Sequence, residues 1–175
     1  MKKLTKTTLL ICFLITTFNG LAQSEFTQDF ISIGVIVSDV DISKKFYTEV
    51  IGMTETGKFS VTGDAGKRLG LTNGTAFDVV ILKLADSPNA TEWKLMSFGK
   101  KATHPEQKYI HDDMGMQYIT IFVKSLNPFL ERIKANNVTA LGETSTPQPL
   151  GDGRFFVLVQ DPDGTFIELI GGFTE

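Results

Sequence analysis

The chain is predicted to fold as an α+β domain of two βαβββ modules whose strands form one cupped mixed sheet. Three observations carry that expectation. One pattern occurs twice, first as Ile31-Ser32-Ile33-Gly34-Val35-Ile36-Val37-Ser38-Asp39-Val40 and again as Gln117-Tyr118-Ile119-Thr120-Ile121-Phe122-Val123-Lys124-Ser125-Leu126. The copies align at a constant offset of 86 residues, which pairs Ser32 with Tyr118, Val37 with Val123 and Val40 with Leu126. Behind each copy the same order can be read: a helix, then three strands. Two such units can close around a shared pocket, which says where to look for chemistry.

In the first half, residues 29–38 read as a buried strand. Ser38-Asp39 caps a helix whose apolar face is Val40, Ser43, Tyr47 and Val50, with Phe46 and Ile51 beside it. Lys44, Lys45 and Glu49 point outward, and Gly52 ends the helix. Residues 54–61 alternate as a strand. A loop over 63–74 holds a short helical turn near 65–69. Residues 76–84 and 92–98 are strands, joined through the turn Asp86-Ser87-Pro88-Asn89.

Residues 99–115 form a polar linker containing His104-Pro105 and His111-Asp112-Asp113. The second half repeats the order. Residues 116–123 are a strand, and Leu126, Phe129, Leu130 and Ile133 face the core from a helix that stops near Asn136-Asn137. A strand is expected over 138–144 and a loop at Thr146-Pro147-Gln148-Pro149. Strands at 154–160 and 165–170 flank the tight turn Asp161-Pro162-Asp163-Gly164. The domain thus covers 29–172, as module 1 (29–99), linker (100–115) and module 2 (116–172), after a short extension at 23–28.

Residues 1–22 read as a secretory signal peptide. Lys2, Lys3 and Lys6 give a basic start, Leu9-Leu10-Ile11-Cys12-Phe13-Leu14-Ile15 an apolar run, and Gly20-Leu21-Ala22 the small residues of a cleavage site before Gln23. The run is too short for an anchor across a hydrocarbon core that needs about 20 apolar residues. Export to a periplasm or the medium is the expectation. The chain has 17 basic and 20 acidic side chains. Because the segment holds three lysines and no acid, its removal deepens the net charge from −3 to about −6. That balance argues against nucleic acid or an anionic membrane as partner. It gives loose support to a cationic ligand. Cys12 is the only cysteine, so the exported chain has no disulfide, thiolate or cysteine metal site and is stabilised by packing. About 150 residues can bury a sufficient core.

Three segments carry a family likeness. They are Val37-Ser38-Asp39-Val40 followed by Phe46-Tyr47 and Ile51-Gly52-Met53, the stretch 116–126, and Asp161-Pro162-Asp163-Gly164 with Ile167-Glu168-Leu169. Together they resemble the vicinal oxygen chelate superfamily, which includes glyoxalase I, bleomycin-resistance proteins, extradiol dioxygenases, methylmalonyl-CoA epimerase and fosfomycin-resistance enzymes. The resemblance implies a divalent metal in the cup of the metalloenzymes, held from four positions. Here those positions carry Ser32, Lys94, Tyr118 and Glu168. Only Glu168 keeps a ligand type. Tight binding of such metals needs at least three N or O donors from protein. A neutral Ser32 is a poor donor, and Tyr118 would have to lose a proton with a reference pKa near 10. A Lys94 ammonium repels a dication by several kcal/mol at effective dielectric constants of about 20. No metal and no cofactor is therefore expected at the family site.

Instead, Ser32, Lys94, Tyr118 and Glu168 are candidates for a polar floor that binds a small ligand, with Lys94 and Glu168 in equivalent positions and within reach of an ion pair. The simpler reading is that these groups only satisfy one another in a packed barrel. Arg154 is a candidate anion clamp. Phe59, Phe77, Trp93, Phe155, Phe156 and Phe166 are candidates for an apolar wall, although most aromatics at alternating strand positions are core. His104 and His111, beside Asp112 and Asp113, could form a peripheral metal site, against the plainer reading of a solvated linker.

The leading expectation is a metal-free, exported binder of a small organic molecule. It resembles the bleomycin-resistance members, which sequester a ligand at a dimer interface, so a homodimer is expected with it. The alternative is a lyase or isomerase in which Glu168 is the base, Tyr118 the acid or oxyanion donor, and Lys94 the stabiliser of an enolate. A third reading is a degenerate scaffold that acts through its surface.

Overall fold

The structure is a computed structural model, and it describes residues 25–100, 105–142 and 146–174. The signal segment, its Cys12 and His104 lie outside the described residues. The strand expected at 29–38 forms as β1 (Ser32–Ile36), but it is not buried: at the sheet edge, Ser32, Gly34 and Ile36 face outward while Ile33 and Val35 face the core. Asp39 then caps α1 (Val40–Lys45), its carboxylate accepting from the amides of Asp41 and Ile42 at 2.9 and 3.0 Å. The helix continues as a π-helical stretch over Phe46–Ile51 and ends at Gly52, whose φ of 88° is the left-handed cap. The wider π turn puts Phe46, Tyr47, Val50 and Ile51 all on the buried side. The strands β2 (Thr54–Val61), β3 (Phe77–Lys83) and β4 (Glu92–Met96) complete module 1, with the short α2 (Gly63–Arg68) between β2 and β3.

Module 2 contains β5 (Tyr118–Ser125), α3 (Asn127–Ala135), β6 (Gln148–Pro149), β7 (Phe155–Gln160) and β8 (Phe166–Gly172). The helix ends at Ala135 with Asn136 as its cap, next to the expected stop at Asn136-Asn137, and Asn137 has a φ of 54°. The expectation of a strand over 138–144 is not met across 138–142, and its last two residues lie outside the described ones. Leu141 makes one isolated bridge to Leu158, and the edge strand forms instead at Gln148–Pro149, where a loop was expected. Pro149 is tolerated there because an edge position leaves no ladder donor missing.

The sheets have the orders β1-β4-β3-β2 and β5-β8-β7-β6. The two βαβββ modules are therefore present and topologically identical. Their strands hydrogen-bond as two four-stranded mixed sheets, not as one continuous ladder, and β1 and β5 stand at sheet edges. In each sheet the first strand runs parallel to the last. One face of each sheet packs inward. Val37, Leu82, Trp93 and Leu95 of module 1 share a single apolar cluster with Ile121, Val157, Ile167 and Leu169 of module 2. Tyr47, Val50 and Ile51 lie in the same cluster. The opposite faces of both sheets are left open, and they hold the candidate site.

Candidate functional site

Strand alternation decides which side chains share the open face of module 1. Register pairs Ser32 with Glu92 and Gly34 with Lys94 across β1 and β4, and Ile81 with Lys94 and Lys83 with Glu92 across β3 and β4. Ser32, Glu92, Lys94 and Lys83 therefore meet. Glu92 is the hub. Its Oε2 accepts from Ser32 Oγ at 2.9 Å and lies 3.3 Å from Lys94 Nζ, while its Oε1 lies 3.5 Å from Lys83 Nζ. The Ser32 hydroxyl, ahead of the two ammonium groups, holds the Glu92 carboxyl below its ordinary value against the opposing effect of burial. Aromatic rings flank both cations, Phe30 at 5.6 Å from Lys83 and Phe59 at 6.0 Å from Lys94.

The open face of module 2 presents Tyr118, Thr120 and Glu168. Thr120 is opposite Glu168 in the parallel ladder, as Gly34 is opposite Lys94, so Lys94 and Glu168 do occupy equivalent places. They do not pair. Thr120 Oγ1 donates to Glu168 Oε2 at 2.6 Å, and the carboxylate beside Lys94 is Glu92. The reason is local. Glu92 sits two residues from Lys94 on the same strand face, whereas Glu168 belongs to a sheet that shares no ladder with β4. The expected four-residue floor is thus divided: Ser32 and Lys94 on one sheet, Tyr118 and Glu168 on the other. Tyr118 is exposed.

Arg154 turns to its own loop, where Nη2 is 2.6 Å from Asp152 Oδ2. It precedes β7 at the end far from Glu168, whose ladder partner is Leu158. Four residues of strand put it about 13 Å away along the chain direction. His111 is exposed, stacks on Tyr109 and lies 3.6 Å from Asp112. Of the aromatic candidates, Trp93 and Phe166 are buried and Phe59 is exposed on the open face. Glu92 and Lys83 were missed by sequence reasoning. Their signal was the alternation Glu92, Lys94 on one strand and Ile81, Lys83 on its neighbour.

A second polar cluster joins the modules. Tyr47 Oη donates to Asp161 Oδ2 at 2.7 Å, and Asp161 Oδ1 accepts from the amides of Asp163 and Thr165. Asp163 in turn accepts from the Ser38 amide and Ser43 Oγ. Burial raises both the Asp161 carboxyl and the Tyr47 phenol above their ordinary values; Tyr47 hydrogen bonding opposes the rise at Asp161. An open cavity of about 720 Å³ adjoins this cluster, lined in part by Ser38, Gln107 and Gln160. Its two aspartates are already bonded within the protein, which makes the cluster a strut.

Among the described residues, no group of three or more His, Cys, Asp or Glu side chains converges to hold a metal. The four positions that the resemblance assigns to metal ligands do not fit a divalent ion, because one of them carries the ammonium of Lys94, 3.3 Å from the Glu92 carboxylate.

A family model described as the Glyoxalase/Bleomycin resistance protein/Dioxygenase superfamily matches residues 29–169. Comparison with curated proteins gives no match. Among solved structures, a glyoxalase family protein from Bacillus cereus is 15% identical with a TM-score of 0.68, covering 87% of this chain and 99% of that one. Trypanothione-dependent glyoxalase I of Leishmania major is 24% identical with a TM-score of 0.56, covering 83% and 87%. A mutant of the fosfomycin resistance protein FosX of Listeria monocytogenes, complexed with Mn(II), is 17% identical with a TM-score of 0.50, covering 81% and 89%. At these identities the likeness is one of fold.

Proposed function

Because the chain belongs to the Glyoxalase/Bleomycin resistance protein/Dioxygenase superfamily, we propose that it is an exported binding protein without the superfamily's metal centre, holding a small organic molecule in the cup between its modules. One observation carries this reading. The ammonium of Lys94, 3.3 Å from Glu92, stands where the resemblance puts a metal ligand. A fixed positive charge takes over part of the role of a dication, at a site whose carboxylate is kept ionised. The protein acts as a homodimer in this reading and reaches its compartment by cleavage before Gln23.

Native mass spectrometry of protein purified from its own host tests all of this together. The expected species begins at Gln23 and carries a small organic molecule and no transition metal. Zinc, nickel, manganese or iron in the cup at one ion per site would overturn the reading. The lyase or isomerase alternative draws on the Thr120 hydrogen bond that fixes the Glu168 carboxylate on an open face. It is weakened by the engagement of Lys94 with Glu92 on the other sheet. Turnover of dicarbonyl or acyl-thioester substrates that is lost in Glu168→Gln would favour it.

A further inference from the structure

We propose that the open face of module 1 recognises an oxyanion, the carboxylate or phosphate of an aromatic or similarly apolar molecule, held between Lys83 and Lys94 and spaced by Glu92. This rests on the small-molecule reading above and gives the ligand its chemical class.

The charge count decides the sign. Two ammonium groups flank one carboxylate, at 3.5 and 3.3 Å, so the cluster carries one excess positive charge within a chain whose net charge is −3. Both side chains are partly withdrawn from water, with 13% of Lys83 and 27% of Lys94 accessible, and charges so placed are screened less than surface charges. Each ammonium keeps donors to spare. An ammonium has three N–H groups. Lys94 uses one on Glu92, while Lys83 uses one on Glu92 and one on the Ser87 carbonyl at 3.3 Å. Two donors on Lys94 and one on Lys83 remain for an anion. The rings of Phe30 and Phe59, beside the two cations, supply an apolar surface for the rest of the ligand. Gly34 opposite Lys94 adds no side chain to the approach, whereas its equivalent Thr120 covers Glu168. A cationic ligand, which the net charge alone would suggest, meets the wrong local field.

The test titrates the full exported chain with four probes: benzoate, phenyl phosphate, benzyl alcohol and benzyltrimethylammonium. Amide shifts of Gly34 and Lys94 in two-dimensional NMR report the site. Benzoate or phenyl phosphate should shift them, and the stronger of the two separates carboxylate from phosphate as the preferred group. Lys83→Met and Lys94→Met should each weaken that binding about tenfold, the scale of a charge-assisted hydrogen bond, and Glu92→Gln should tighten it by removing the competing carboxylate. Preserved peak dispersion shows that each variant folds. Preference for benzyltrimethylammonium, or anion binding unchanged in both lysine variants, would overturn the proposal. Equal binding of benzyl alcohol would overturn the oxyanion class and leave the small-molecule reading standing. No shift with any probe would overturn the proposal, and the broader reading would then rest on the mass-spectrometric test.

Discussion

Tyr47 and Asp161 hold the modules together through one buried hydrogen bond of 2.7 Å, and each has a consequence for stability. Removing the hydroxyl in Tyr47→Phe leaves the carboxylate short of a donor, and urea unfolding should show a loss of about 1–3 kcal/mol. The pH dependence has a definite sign. Asp161 has a folded-state pKa above its unfolded value, mainly through burial. It therefore stabilises the fold below the ordinary aspartate range, and that contribution is lost as pH rises through the raised value. Glu92 works in the opposite sense, since its lowered pKa gives stability that is lost on acidification. The unfolding free energy of wild type minus that of Asp161→Asn should therefore be highest in acid and fall as pH rises toward neutral, where the charged wild type loses ground. Tyr47→Phe removes a donor that lowers the Asp161 pKa, so it should extend that window upward. A wild-type-minus-Asp161→Asn curve that is flat between pH 3 and 7 would refute the assignment.

At the scale of elements, the ladder between β5 and β8 shows how closely backbone and side chain are fitted. Gly171 lies beside the register shift between Val123 and Ser125, and a Cβ on it would stand 2.3 Å from the Val123 carbonyl oxygen. Gly57, also in a strand, would place its Cβ at an ordinary 3.7 Å from Ile81. Gly171→Ala should therefore cost about 1–3 kcal/mol through overpacking against backbone that cannot yield. Gly57→Ala should be close to neutral, and thermal unfolding of the pair separates the two. Such close approaches are invisible in sequence, where both residues are simply glycines within strands. What could be read was the periodic part. Alternation placed β1 through β5, β7 and β8, and Asp39 and Gly52 marked the ends of the first helical segment because capping is local chemistry. The edge strand escaped because β6 is only Gln148–Pro149, too short for a period, while the apolar stretch from Val138 looked like a strand but, among the described residues, meets β7 only at Leu141. The site was half legible for the same reason. Equivalence of Lys94 and Glu168 follows from the repeat, but Glu92 as the partner of Lys94 depends on which side chains converge across three strands.

The molecule as a whole presents two copies of one surface. Ile36 and Phe122 stand at equivalent positions on the open faces, 86 residues apart, and are 67% and 70% accessible. Met116, next to Gln117 at the entry to β5, is also exposed. Apolar side chains so placed, repeated by pseudo-symmetry, suit an isologous contact in which module 1 of one chain meets module 2 of its twin. That arrangement would also bring a Lys94 cluster toward a Glu168 cluster, the juxtaposition that a single chain does not make between its own sheets. A dimer built in this way predicts that Phe122→Glu yields a folded monomer, because the position is open to water and no core contact is lost. Light scattering after size exclusion would report the mass, and circular dichroism would confirm the fold. The same variant should abolish small-molecule binding if both open faces complete the cup, and should leave it intact if the Lys83–Glu92–Lys94 face binds alone. A wild-type chain that is monomeric at high micromolar concentration would refute the dimer while leaving the oxyanion site of module 1 to be judged on its own lysines.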